Sequence, residues 1–369
     1  MSDSHNKKAL LSGFWYTSSN ILVKSLAFIT TPIFTRLLTQ EEYGAFSNYA
    51  SWASIFVILT TLNTESTLIS AKFDYKDRLN QYVLSILSLS TFSTLIWMLF
   101  SSIFISNVSE ILNLRPVYVE LIFLYCIFSA AIHIFQINER FRYEYKKSVA
   151  VALSLALLTT ILSVLLVIGM ENRLTGRILG NVLPAVTIGA VLYIIIIFKG
   201  KRIDFGAWKY ALKICVPYIP HLLSLTLLHS IDRIMIMDVC GKVDTAIYSV
   251  AFVIGTIITT FGSSINQAFS PWLGDKLNLC QFDDIRKISK YYIGIFTVFV
   301  LGIILLAPEI ILLFGGKQYS DSIYVLLPIA LGCIMQFIYT LFVNVEQFKK
   351  KTVWMAIASV VAAGKKYFL

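Results

Sequence analysis

Long apolar runs alternate with short polar loops along nearly the whole chain. Most runs approach or exceed the roughly 20 residues that carry a helix across a bilayer. Eleven such runs fall at residues 10–35, 43–69, 80–106, 117–138, 148–170, 176–198, 212–237, 245–269, 288–312, 322–345 and 352–363. No strand pattern interrupts them. The pattern predicts an all-α polytopic membrane protein. A hydrophobic fraction of 57 % and a mean hydropathy of +0.74 agree, because one soluble core cannot hide that much apolar surface. The first run follows Lys7 and Lys8 and is too long for the core of a cleaved signal, so it reads as a signal anchor.

The run pattern repeats. Gly44-Ala45-Phe46-Ser47 opens the second run, and Ala246-Ile247-Tyr248-Ser249 opens the eighth, 202 residues later. The same offset carries Arg115-Pro116 to Lys317-Gln318 and Ser148 to Lys350. Two six-helix bundles in parallel repeat are therefore expected. The N-terminal bundle covers 1–198, a cytoplasmic linker 199–211, and the C-terminal bundle 212–369. Across the linker and the first residues after it, Phe205, Trp208 and Leu212 share one face and Arg202, Lys209 and Lys213 another, which suits an interfacial helix or a plain basic connection. A partner for the sixth run would begin beyond Leu369, and the eleventh run gives way to Gly364-Lys365-Lys366. The expectation is a C-terminal bundle whose twelfth helix is missing, through a frameshift or truncation; a genuine eleven-span protein is the alternative.

A net charge of +10 does not point to nucleic acid once its distribution is read. With the N-terminus in the cytoplasm, the inner segments carry 21 of the 31 basic residues, including Lys72, Arg140, Lys199, Lys276 and Lys349. This asymmetry sets the orientation of a multi-pass protein and makes anionic lipid the partner of the excess charge. The five cysteines, Cys126, Cys215, Cys240, Cys280 and Cys333, are scattered singly without metal-ligand spacing. They imply neither a disulfide framework nor a metal, and nothing calls for a cofactor.

Enzyme chemistry finds no place in this pattern. The outer loops are short, the longest at about 106–115, and none gathers a catalytic set. Ionisable residues within the runs stand out instead, since a charge at a helix centre costs roughly 2.5–3.5 kcal/mol on insertion scales and usually faces a cavity or a partner. Lys24 lies mid-way along the first run with Asn20 nearby, and Arg36 closes that run on the outer side. In the seventh run Asp232 follows His221 by 11 residues, which places them about 20° apart on a helix. Ser224 lies near that face, and His229 and Arg233 flank it. Glu65 and Asn63 lie toward the inner end of the second run and His133 toward that of the fourth. Each has a plainer alternative: snorkelling for Lys24, interface anchoring for Arg36, mutual neutralisation for Asp232 and Arg233, packing for the histidines, and an interfacial cap for Glu65. Pro32, Pro184, Pro217, Pro220, Pro308 and Pro328 fall within or beside runs and permit the kinks that alternating access uses.

The segment Arg36-Leu37-Leu38-Thr39-Gln40-Glu41-Glu42-Tyr43-Gly44 resembles the first-loop signature of Wzx-type polysaccharide flippases. VPYIPHLLSLTLLHSIDRIMI at 216–236 resembles their seventh helix, and AIYSVAFVIGTIITTFGSSINQAFSPW at 246–272 their eighth. Residues 313–332 and 349–363 resemble later spans. The resemblance implies the fold of the multidrug/oligosaccharidyl-lipid/polysaccharide exporter superfamily, with two six-helix bundles around a central cavity. It implies translocation of an undecaprenyl-diphosphate-linked oligosaccharide across the bacterial inner membrane, for O-antigen or capsule, without ATP hydrolysis. Polymerase and chain-length proteins of the same pathway are the implied partners. Lys24, Arg36 and Arg233 are then candidates for the diphosphate. Asn20, His221, Ser224, His229, Asn266 and Gln267 are candidates for sugar hydroxyls, and Asp232 and Glu65 for ion coupling. A drug/cation antiporter and an inactive remnant are the competing expectations.

Overall fold

The computed structural model describes residues 19, 22–23, 25–26, 28–142 and 144–348. Lys24, Asn20 and the eleventh run at 352–363 lie outside them. The described residues are helical almost throughout, with no strand among them. Eight helices are long and apolar enough to cross a membrane, and nine if one bent pair is a single span. These nine correspond to the nine runs from 43–69 to 322–345.

The helices are α1 (residues 28–37), α2 (Gln40–Thr61), α3 (Leu68–Asp74), α4 (Leu79–Ile103), α5 (Ile105–Leu112), α6 (Pro116–Phe141), α7 (Tyr145–Gly169), α8 (Arg173–Gly200), α9 (Phe205–Val239), α10 (Lys242–Asn278), α11 (Phe282–Leu305), α12 (Ala307–Phe314) and α13 (Ser322–Phe348). The repeat is written in these boundaries. α2 and α10 begin 202 residues apart, α4 and α11 end 202 apart, and α5 and α12 match over their whole length at that offset. Residues 106–115, expected as a loop, are thus mostly the short helix α5. The run at 288–312 is split into α11 and α12, with Pro308 in the first turn of α12, where a missing N–H costs nothing.

The chain divides between Thr245 and Ala246 into two compact units. In the first, α2 starts on a capping box. The Thr39 hydroxyl accepts from the Glu42 N–H at 3.2 Å, and Glu42 Oε2 accepts from the Thr39 N–H at 2.9 Å. The T-x-x-E of the first-loop signature is therefore a helix start. One apolar cluster gathers Tyr49, Leu112, Tyr118, Ile122, Phe123 and Ile178 from α2, α5, α6 and α8. A second joins Leu68, Tyr82, Ile86, Ile134 and Leu192. It also holds Ala207 and Ala211, so the expected linker supplies core residues and, from Phe205, the first turns of α9. α7 lies along α8 and turns Leu157, Ile161, Leu165 and Ile168 outward, an apolar surface suited to lipid.

The second predicted run is broken. Leu62 and Asn63 both adopt left-handed backbone (φ 56° and 46°), and the helix axis turns by 52° before α3. Backbone carbonyls released by a break inside a membrane need new partners. Thr61 O accepts from the Ser90 hydroxyl at 2.9 Å, and Asn63 O from Ser66 at 2.9 Å and from the Cys215 thiol at 3.8 Å. α4 and α9 thus hold the break in place.

In the second unit α10 and α13 run parallel. Ser322 donates to Ile247 O at 2.8 Å, Cys333 Sγ approaches Gly255 O at 3.8 Å, and Asn344 Nδ2 donates to Asn266 Oδ1 at 2.6 Å, advancing in step along both helices. Phe296 and Phe337 stack at 4.2 Å between α11 and α13, and Phe261 and Phe299 meet at 3.9 Å between α10 and α11. Unlike α2, α10 passes unbroken through the positions that match the bend.

Candidate functional site

Two polar groupings lie inside the spans of the first unit. At the end where α2 and α8 begin, Arg177 stands on the second turn of α8. Its guanidinium lies 3.8 Å from the ring centroid of Phe34 and 4.3 Å from that of Phe46. Arg177 Nη1 donates to the Ser163 hydroxyl on α7 at 2.7 Å, its one hydrogen-bond partner among the described residues. Stacking on aromatic faces offsets part of the cost of removing the cation from water. The planar group retains further N–H donors. Tyr43 lies within electrostatic reach of both Arg177 and Arg233. Arg173 donates to Leu37 O at 2.8 Å and ties the end of α1 to the same helix. Beside this cluster a cavity of about 450 Å³ opens among Glu41, Glu42, Arg115, Glu171, Asn172 and Lys242.

The second grouping sits at the bend. Glu65 is buried, with Oε1 3.6 Å from Nδ1 of His133 on α6. Its other oxygen, Oε2, is buried without a hydrogen-bond partner among the described residues. Around the pair, Thr64 shares a 2.6 Å hydrogen bond with Ser90, and Tyr82 donates to Thr67 at 2.6 Å. A carboxylate half satisfied next to an imidazole is chemistry for holding a proton or a small cation.

The remaining expected residues are distributed. Arg36 is exposed at the end of α1 and donates to Pro32 O at 2.8 Å. His221, Ser224, His229, Asp232 and Arg233 all lie on α9, which runs unbroken past Pro217 and Pro220. The Ser224 hydroxyl donates to Pro220 O at 2.8 Å, and Arg233 Nη2 to His229 O at 3.1 Å. His221 stacks loosely on Tyr218, with centroids 5.7 Å apart. Asn266 and Gln267 belong to the second unit, where Asn266 is bonded to Asn344 and Gln267 is exposed.

Arg177 was not among the residues the sequence singled out. It counts there as one outer-side basic residue at the start of the sixth run. The available signal is its setting, Gly176-Arg177 followed by Gly180, an arginine between glycines that bring α7 close. Among the described residues no group of three or more His, Cys, Asp and Glu is placed to hold a metal ion.

The sequence profile of the family described as polysaccharide biosynthesis protein matches residues 10–276, and that of the MatE family matches residues 217–368. No curated protein matches the chain. Among solved structures, the lipid II flippase MurJ in an inward closed conformation is 14 % identical. It aligns with a TM-score of 0.66 over 94 % of this chain and 78 % of that one. An inward-facing multidrug resistance MATE family transporter of the MOP superfamily is 15 % identical, with a TM-score of 0.58 over 88 % of this chain and 84 % of that one. An outward-facing conformation of such a transporter gives 14 %, 0.57, 92 % and 81 %. At these identities the likeness is one of fold, the two-bundle helical architecture of the MOP superfamily.

Proposed function

The chain belongs to the polysaccharide biosynthesis protein family, and from that premise we propose that it translocates an undecaprenyl-diphosphate-linked oligosaccharide across the bacterial cytoplasmic membrane. The unit moves from the inner to the outer leaflet by alternating access, for O-antigen or capsular polysaccharide. The N-terminus faces the cytoplasm, and polymerase and chain-length proteins take over the product. The observation that carries this reading is the guanidinium of Arg177, held between Phe34 and Phe46 with Arg233 near the same tyrosine. A rigid, aromatic-backed arginine inside the spans matches the fork geometry and charge of a diphosphate, and a cationic drug gains nothing from it. Lys24 and Arg36 join Arg177 and Arg233 in contacting the diphosphate in this reading. Asn20, His221, Ser224, His229, Asn266 and Gln267 meet sugar hydroxyls.

Deleting the gene tests the assignment. The expected result is accumulation of lipid-linked repeat units in the membrane together with loss of surface polymer. Unchanged levels of both would remove the basis for it.

One observation favours a second reading, cation-coupled antiport: the buried Glu65 beside the half-exposed His133 at the bend. The two readings combine if Glu65, with Asp232, couples an ion to glycolipid movement. Glu65→Gln keeps the shape and removes the charge. Surface polymer in that variant is expected to fall severalfold, and the remaining flux to stop responding when an ionophore collapses the proton gradient. A variant that responds like the parent takes Glu65 out of the coupling.

A further inference from the structure

Inside the second unit, α10 and α13 face each other with rows of uncharged polar side chains. Thr259, Ser263 and Asn266 recur at helical spacing on one face of α10, and Gln336, Thr340 and Asn344 do so on α13. The rows meet at the 2.6 Å hydrogen bond between Asn344 and Asn266, and beside it lies a cavity of about 120 Å³. Its floor is apolar. Gly262 makes room there for the ring edges of Phe296 and Phe337, and a methyl at that position would sit 2.9 Å and 3.2 Å from them.

Polar rows between membrane helices often serve only to hold the helices together. Two features go beyond that role. The cleft is roomy enough to admit water, which needs only about 10–15 Å³ of such space. Gln336 is exposed although it lies 14 residues into a 25-residue apolar span, about 21 Å along the helix. An exposed amide at that depth belongs to a wet or ligand-filled space, because lipid would leave it unsatisfied.

The lining then selects the occupant. Among the described residues it contains no carboxylate to balance a cation and no basic group to balance a phosphate. An acyl chain would strand the amides and hydroxyls without partners. The hydroxyls of Thr259, Ser263 and Thr340 each donate to their own helix backbone, at 3.1, 2.8 and 2.8 Å. Their lone pairs remain to accept hydrogen bonds from a ligand. A ring rich in hydroxyl donors, with C–H faces for the aromatic floor, satisfies both parts of the lining.

We propose that the cleft between α10 and α13 binds an uncharged sugar unit of the translocated glycolipid, making the second unit a reader of the glycan. This rests on the glycolipid reading above and adds the place and chemistry of sugar recognition. The test compares two probes on the purified full-length chain: undecaprenyl diphosphate without sugar, and the undecaprenyl-diphosphate-linked oligosaccharide extracted from the deletion strain. For Gln336→Leu, the sugar-bearing lipid is expected to bind about tenfold more weakly, while the sugar-free lipid binds as it does to the parent. Thr340→Val, nearly isosteric and well tolerated in an apolar helix, serves as the second variant and is expected to show the same selective loss.

Undiminished binding of the sugar-bearing lipid to Thr340→Val, or equal weakening of both lipids, overturns the proposal. So does a parent protein that binds the two lipids equally, a result that leaves glycolipid transport standing. A parent that binds neither lipid removes the glycolipid reading and this inference with it.

Discussion

Arg177→Lys is expected to lower surface polymer at least tenfold in a gene-deleted strain while the protein remains at its usual level in the membrane, and Arg177→Ala is expected to do so more completely. Lysine keeps the positive charge, so the comparison isolates geometry. The guanidinium plane contacts two ring faces at 3.8 and 4.3 Å and reaches Ser163 at the same time. A flexible ammonium provides neither the stacking nor the planar fork that matches phosphate oxygens. Polymer at the surface and lipid-linked units in the membrane are measured together. A lysine variant with normal polymer would mean that charge alone suffices. An alanine variant with normal polymer would take Arg177 out of substrate handling.

The second large effect is structural and lies one turn further along α8. A methyl group added at Gly180 would sit 2.3 Å from Ser163 Cα, and one at Gly176 2.6 Å from Leu166 O. Both obstacles are backbone, which no rotamer change relieves. The two glycines, four residues apart, form the small-xxx-small stripe that lets membrane helices approach closely. Gly180→Val must therefore push α7 away from α8. Overpacking of this kind costs about 1–3 kcal/mol, and the thermal unfolding midpoint in detergent is expected to fall by about 1–4 °C. The displacement also carries Ser163 away from Arg177, so residual folded protein is expected to be impaired in transport. An unchanged midpoint would contradict the close α7–α8 packing.

The layout of spans was legible because run length alone encodes a membrane helix, and nine runs from 43–69 to 322–345 became helices. The repeat was legible as well. The offset read from Gly44 and Ala246 recurs in the boundaries of α5 and α12, two short helices that composition did not announce. Pro308 marks the start of α12, a signal the apolar run at 288–312 concealed.

The bend at Leu62–Asn63 was not legible. Neither Gly nor Pro stands there, and leucine disfavours left-handed backbone. The conformation is fixed by hydrogen bonds from Ser90 and Cys215, 29 and 152 residues from the carbonyls they meet, which local sequence cannot report. The approach of Glu65 to His133 depends on the same tertiary placement, although both residues were noted singly. Arg177 was missed for a similar reason: its aromatic partners, Phe34 and Phe46, lie more than 130 residues away. In a membrane protein the run pattern specifies which segments are helices, but the polar contacts that give the interior its chemistry are long-range.

Reconstitution tests directly whether this chain moves a diphosphate-linked oligosaccharide between leaflets. Purified protein is incorporated into liposomes that contain the labelled undecaprenyl-diphosphate-linked oligosaccharide. Membrane-impermeant periodate is then added to oxidise sugars in the outer leaflet only. Protein-free liposomes are expected to protect about half of the glycolipid, the protein to expose nearly all of it, and Arg177→Ala to protect as protein-free liposomes do. The same protected half in the presence of the parent protein, with or without an imposed ion gradient, would mean that the protein does not move this glycolipid.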